Sequence, residues 1–514
     1  MIRPVSASLV CSATVYLLCG TAAARAQTTQ AAETTSTPQK VLAHKAGAST
    51  PATPATTAKA TPVAEAGYQS RQNENVIVTA HLDSRRLALS PSTGATVYTF
   101  SRKAIEAIPG GDNTPLNQVL LQAPGVAQDS YGQIHVRGDH NEVQFRLDGV
   151  QLPEGLSVFG QALMTRFADQ MSLTTGALPS QFGFLQAAVV DITTRNGANS
   201  PGGEVSVYGG ARDYFFPSLR YGFQKGKWDF FATADFVHDR VGIENTTPSF
   251  NALHDLSNQY HFLGHARYTM DENTLISFIA GVSNAEYQLP NNPGQQTQFV
   301  MPSYSGSDLA HHLSGSADSA ALNEHQKQIT DFAVLALQKE IGKFSLQDSV
   351  FARYSSLRYS PDWLGDLVYN GIAQQAARSV FSMGTQHDVT WRAAPRHTVR
   401  FGFQVFVERT TSKTMSSVFR QTGEDAAGEA VYDPQPVTIY DGSGKTGMVY
   451  GLYSQDERRP TDTLTIHYGL RFDGVREYTS ENPFSPRINL VWQPMPRGVL
   501  HAGYFPSVPP PPSS

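Results

Sequence analysis

Residues able to do chemistry are present in this chain, but few stand at a spacing that would let them. His311 and His312 are adjacent, so their side chains diverge, and no further ligands stand at metal spacing. His254, His261 and His265 read as strand and loop residues. Gly442-Ser-Gly-Lys-Thr-Gly447 spells G-x-G-x-x-G. A dinucleotide site needs a helix after that loop, whereas Met448-Val-Tyr-Gly-Leu-Tyr453 is strand-like, so the segment reads as a turn between strands. The Walker pattern fails too, because its first glycine would fall at Ile439. There is no G-x-S-x-G elbow. These residues predict no catalytic group, no metal set and no cofactor, and hence no enzyme.

What remains is hydrogen-bonding chemistry in Ile134–Val150. Two short alternating strands end in Arg137-Gly138 and Asp148-Gly149, pairs suited to tight turns. Arg137 and Arg146 can meet carboxylates of another element, pair nearby, or stay solvated. Elements on both sides must position this run. Ser101 can cap a helix over Arg102–Ala107, ended by Pro109-Gly110-Gly111. Thr114-Pro115 can open a second helix with Leu116, Val119 and Leu120 on one face, stopped by Pro124-Gly125. Ala187-Ala-Val-Val-Asp-Ile-Thr-Thr194 reads as a buried strand. Residues 85–200 therefore read as a small α+β domain.

From 201 to 514 the period is two. Trp228, Phe230, Ala232, Ala234 and Phe236 alternate with Asp229, Phe231, Thr233, Asp235 and Val237. Similar alternation runs over Val399–Glu408 and Leu464–Asp473. Several runs reach the roughly 9–11 residues of a membrane-spanning strand. Phe223–Lys227 and Ala393–His397 read as tight turns, and about 288–323 and 409–437 as long polar loops. The region has room for roughly 14 strands with their connections. The mean hydropathy of −0.29 does not oppose a barrel, because lipid-facing and lumen-facing residues average out.

Composition narrows the classes further. The chain has 514 residues and a net charge of −5, with 39 Lys and Arg, a thin supply for phosphate contacts. No nucleic-acid partner is expected. Residues 1–26 read as a signal peptide: Arg3, an apolar run over Ser8–Leu18, then Ala24-Arg-Ala26. Both cysteines, Cys11 and Cys19, lie inside it, so the mature chain would have no disulfide. Residues 27–73, rich in Thr, Ala and Pro, read as a disordered periplasmic linker. Glu74-Asn-Val-Ile-Val-Thr-Ala80 is a short β-prone stretch of the kind that adds to a partner's sheet edge.

These pieces, in this order, resemble the TonB-dependent outer-membrane receptors. The resemblance rests on Pro124-Gly125-Val126, Val136-Arg137-Gly138, Leu147-Asp148-Gly149-Val150, Gly176 and the Gly183…Asp191-Ile-Thr-Thr194 tract. Tyr453-Ser-Gln-Asp-Glu457 and Ser485–Trp492 resemble barrel strands of the same family. It implies a mostly β fold: a small α+β plug over 85–200 followed by a transmembrane antiparallel β-barrel. The barrel is expected to be incomplete, and the chain to be C-terminally truncated relative to its relatives.

The resemblance makes 74–80 a TonB box, in which Glu74, Asn75, Val76, Ile77, Val78, Thr79 and Ala80 couple to TonB and its inner-membrane energising complex. It makes Pro124, Gly125, Arg137, Gly138, Arg146, Asp148 and Gly149 structural plug residues. Gln128, Tyr131, Gln151 and Phe159 are candidate substrate contacts on plug apices. The implied function is energised uptake of a large solute, with a ferric siderophore the leading cargo, in a bacterial outer membrane and in contact with its lipids. The alternative is a non-transporting fragment or a passive outer-membrane binding protein.

Overall fold

The computed structural model describes residues 95–129, 133–140, 143–153, 163–184, 187–241, 247–250, 252–297, 318–428, 430–477, 480–495 and 498–504. The expected leader, linker and TonB box lie outside these residues, as do Tyr131, Phe159, His311 and His312.

Short elements come first. They are β1 (Thr96–Ser101), α1 (Arg102–Glu106), α2 (Leu116–Leu120), β2 (Val126–Gln128), β3 (Ile134–Val136), β4 (Asp139–His140), β5 (Val143–Leu147), β6 (Val150–Gln151), β7 (Ala168–Thr175) and β8 (Ala188–Thr194). Ser101 caps α1 by accepting from the Ala104 N–H at 3.4 Å. Leu116, Val119 and Leu120 of α2 are fully buried, as their helical spacing predicts. A five-stranded sheet runs β1-β7-β8-β5-β6, and β5 and β8 are parallel. Both turns of the Ile134–Val150 run have positive φ at their two central residues: 55° and 90° at Arg137-Gly138, 48° and 81° at Asp148-Gly149. That is the mirror-image turn whose twist matches a two-residue hairpin.

A 14-stranded antiparallel sheet follows: β9 (Gly202–Gly209), β10 (Phe215–Lys225), β11 (Trp228–Asp239), β12 (Ser257–Asp271), β13 (Thr274–Gln288), β14 (His325–Ile341), β15 (Phe344–Ser360), β16 (Ile372–Ala394), β17 (His397–Glu424), β18 (Ala430–Arg458), β19 (Leu464–Arg476), β20 (Ser480–Glu481), β21 (Phe484–Met495) and β22 (Gly498–Tyr504). Neighbours in sequence pair in space, apart from β20, which adds only to the end of β19. Among the described residues β9 and β22 are its two edges and do not pair with each other.

The burial pattern inverts that of a water-soluble sheet. Along β12, His261, Leu263, His265 and Arg267 are buried, while Tyr260 and Phe262, on the alternate positions, are exposed. Asp229, Arg353, Arg400 and Arg471 are buried on neighbouring strands, while Val205, Leu219, Val350 and Leu470 are exposed. Apolar-out, polar-in alternation is what lipid outside and a filled lumen inside require. At the short-turn end Trp228 stacks on Phe230 and Phe344 on Trp391, as an aromatic girdle would.

Two local expectations fail. About 409–437 is not a long loop, because β17 and β18 continue through most of it and only 425–429 connects them. Thr410, Thr411, Thr414 and Val418 are β-branched and keep the ribbon extended in pairing with β18. Gly442–Gly447 is likewise no turn. It lies inside β18, with Gly442 opposite Lys413 and Gly447 opposite Glu408.

Candidate functional site

The small domain sits against the buried face of the large sheet, and the wall holds it largely by its backbone. On β15 and β16, Gln347 donates to the Asp148 carbonyl at 3.0 Å. Gln386 donates to the Gly149 carbonyl and accepts from the Gln151 N–H, both at 3.0 Å. Arg353 donates to the Pro153 carbonyl at 2.6 Å. The mirror-image turn at Asp148-Gly149 presents the two carbonyls to the wall. A side chain at Gly149 would be strained by its φ of +81° and would lie 3.3 Å from Gln347 Nε2.

A second grip lies on β18, β19 and β21. Arg471 donates to the Ser180 and Gln181 carbonyls at 3.2 and 3.1 Å, and Asp473 holds its other face at 2.7 to 2.9 Å. Arg487 donates to the Leu178 and Pro179 carbonyls at 3.1 and 2.7 Å. Asn489 donates to the Ala177 carbonyl, and Gln455 accepts from the Gln181 N–H, both at 3.0 Å. Gly183 is required here, because a Cβ would fall 1.9 Å from Arg471 Nε.

The third grip is on β9, β11 and β12. Arg166 donates to Glu204 at 3.1 Å and to Ser206 at 2.7 Å. Asp229 accepts from the Gly197 and Ala198 N–H groups at 2.5 and 3.4 Å. His265 Nδ1 lies 2.9 Å from Thr194 Oγ1, whose hydroxyl donates to Asp148 at 2.6 Å. Between the grips the contact is apolar, with Phe184 edge-on to Phe406 at 6.2 Å. Burial, with Arg102 nearby, lowers the Arg195 guanidinium to about 10, while Asp112 and Glu106 act against that.

The sequence-expected residues fall unevenly on this geometry. Asp148 and Gly149 lie in the first grip. Arg146 is buried and turns back into its own domain, donating to the Gly149 carbonyl and lying 5.1 Å over the Phe182 ring. Arg137 is exposed, and its N–H donates to the Gly125 carbonyl at 2.7 Å, tying it to Pro124-Gly125. Gly138 completes the Arg137 turn. Gln128 ends β2 and accepts from Gln118 at 3.4 Å. Gln151, expected on an apex, is instead buried against Gln386. Sequence reasoning missed the wall side: Gln347, Arg353, Gln386, Arg471, Arg487 and Asn489. Their only signal is a long polar side chain at inward positions of alternating strands.

Each such hydrogen bond contributes about 0.5–1.5 kcal/mol, and about 1.5–3 when a charged group takes part. The wall thus seats the small domain through discrete polar contacts to its backbone beside a shared apolar core. Such a wall filled by such a body has known counterparts. Residues 278–508 match the family model for a TonB dependent receptor-like beta-barrel. The chain has the plug-and-barrel architecture of the TonB-dependent receptors.

Three solved structures resemble this plug and barrel. The FrpB iron transporter from Neisseria meningitidis (F3-3 variant) is 12% identical with a TM-score of 0.58, over 80% of this chain and 65% of that one. The siderophore receptor PiuA from Acinetobacter baumannii is 12% identical with a TM-score of 0.56, over 81% and 65%. The ferripyoverdine receptor of the outer membrane of Pseudomonas aeruginosa is 14% identical with a TM-score of 0.56, over 80% and 56%. The chain thus spans 56 to 65% of the length of these three structures. No curated protein sequence matches it.

Proposed function

We propose that this plug and barrel serves energised import of a large solute across a bacterial outer membrane. The carrying observation is a separately folded plug seated against the wall by discrete hydrogen bonds to its backbone, at Asp148–Pro153 and Ala177–Gln181. Glu74–Ala80, just upstream, is the segment that TonB would pair with and pull. Ligand would approach from the end of the long connections and meet plug apices near Gln128, Tyr131 and Phe159. An iron chelate is the favoured cargo, because the similar structures include an iron transporter and siderophore receptors.

Deletion of 74–80 tests this in whole cells supplied with labelled ferric chelates. The expected result is loss of energy-dependent uptake with surface binding retained. Unchanged uptake would sink the importer reading. The second reading is a passive outer-membrane binding protein. It predicts that the deletion changes nothing and that dissipating the membrane energy changes nothing either.

A further inference from the structure

The outward face of β13 to β18 carries a groove that the import reading does not use. Its volume is about 850 Å³, and its lining includes Phe278, Leu335, Val350, Met383, Val405 and Val407. The depression has a local cause. Ala280, Ala333 and Ala352 stand in register on β13, β14 and β15, a row of small side chains between two rows of larger ones. Ala333 and Ala352 line the groove, whose end toward the long connections is closed by Arg409 and Thr446.

Charge continues from that end. Arg409 is exposed and lies opposite Phe381 and Thr446 in the pairing register. Four residues farther along each strand, on the same outward face, Lys327, Arg358, Ala377 and Lys413 stand side by side on β14, β15, β16 and β17. The separation from Arg409 is about 13 Å at the usual strand rise. Lys327, Arg358 and Lys413 are exposed. Arg358 also reaches the Gln375 side-chain oxygen. Two acids share the face: Glu286 opposite Lys327, and Asp331 in the Arg409 row on the far side of Tyr354 and Phe381. The four cations therefore outnumber the acids two to one, on a chain whose net charge is −5. An apolar trough that ends in net positive charge, on a lipid-facing wall, matches one acyl chain and one phosphate of the same molecule.

We propose that this face binds an anionic phospholipid, its acyl chain in the groove and its phosphate, uncompensated by any cation of its own headgroup, between Arg409, Arg358 and Lys413. The inference rests on the membrane-spanning reading of the large sheet. It adds to that reading a defined lipid site of stated headgroup chemistry.

The test is native mass spectrometry of the full chain, released from micelles holding phosphatidylglycerol and phosphatidylcholine with identical acyl chains. Heat-modifiable migration on gels checks first that the barrel has formed. The expected result is retention of phosphatidylglycerol about fivefold or more over phosphatidylcholine. Combined Arg358→Gln, Arg409→Gln and Lys413→Gln should bring that ratio to about one, since these exposed residues support no core. Met383→Trp, which fills the trough, should lower retention of both lipids. Equal retention by the parent chain, or a preference that survives the triple substitution, would overturn the site while leaving the barrel standing. A chain without heat-modifiable migration in any lipid would overturn the barrel reading, and the lipid site with it.

Discussion

Gln386 donates to Gly149 and accepts from Gln151 with a single amide; Gln386→Ala would leave the Gly149 carbonyl its Arg146 donor but take the acceptor from the buried Gln151 N–H. The expected cost of that one unpaired buried group is about 1–3 kcal/mol. It should appear as faster hydrogen exchange over 148–153 without loss of the barrel. Unchanged exchange there would mean that the amide does not hold the plug. Outside the spanning strands, Asp366 gives a second residue-scale test. It lies in α3 (Gly365–Asn370), between β15 and β16. Burial first, then the Glu324 carboxyl beside it, push its carboxyl up to about 8. A folded-state value above the unfolded one stabilises fully below the ordinary carboxylate range, and that stabilisation is lost as pH rises through about 8. Proteolysis within Asp362–Gly371 should therefore accelerate as pH rises from about 4 to about 8 and level off above it. Asp366→Asn should flatten that dependence, and an unaltered pH profile in the variant would contradict the cause.

At the scale of elements, the mirror-image turn at Asp148-Gly149 makes its own prediction. Gly149→Val would force a β-branched residue to φ of +81° and push on Gln347. A cost of order 1–2 kcal/mol is expected from the backbone alone. Thermal melting against Gln347→Ala separates the turn from the wall contact, and a melt at the parent temperature would refute the requirement. Elements were the most legible level of the sequence. Period-two alternation over Trp228–Val237 carried over into β11, and Leu116, Val119 and Leu120 into a buried helix face. The ribbon of β17 and β18 was less legible, because Thr, Ser and Gly between 410 and 447 have the composition of a loop while being β-branched or small enough to pair. The wall's grip on the plug was hidden for another reason. Gln347, Gln386, Arg471 and Arg487 lie 190 or more residues from the backbone they hold, and nothing local marks a side chain that will meet a distant carbonyl.

For the whole molecule, the geometry amounts to a seated plug whose release import would require. Ala177 and Gly503 offer a direct way to forbid that release. A Cβ on Gly503 would lie 2.4 Å from Asn489 Oδ1 and 2.6 Å from the Ala177 Cβ, so once the Asn489 side chain turns aside and the two Cβ atoms open to the usual separation of about 3.8 Å, a disulfide can join plug to wall. The two native cysteines, Cys11 and Cys19, lie in the expected leader, so the engineered pair should be the only one in the mature chain. The decisive measurement is uptake of a bound labelled ferric chelate by cells carrying Ala177→Cys with Gly503→Cys, before and after reduction. The account predicts that the oxidised pair forms, that binding is kept, that uptake stops, and that a reductant restores it. Full uptake with the plug covalently fixed to the wall would contradict it.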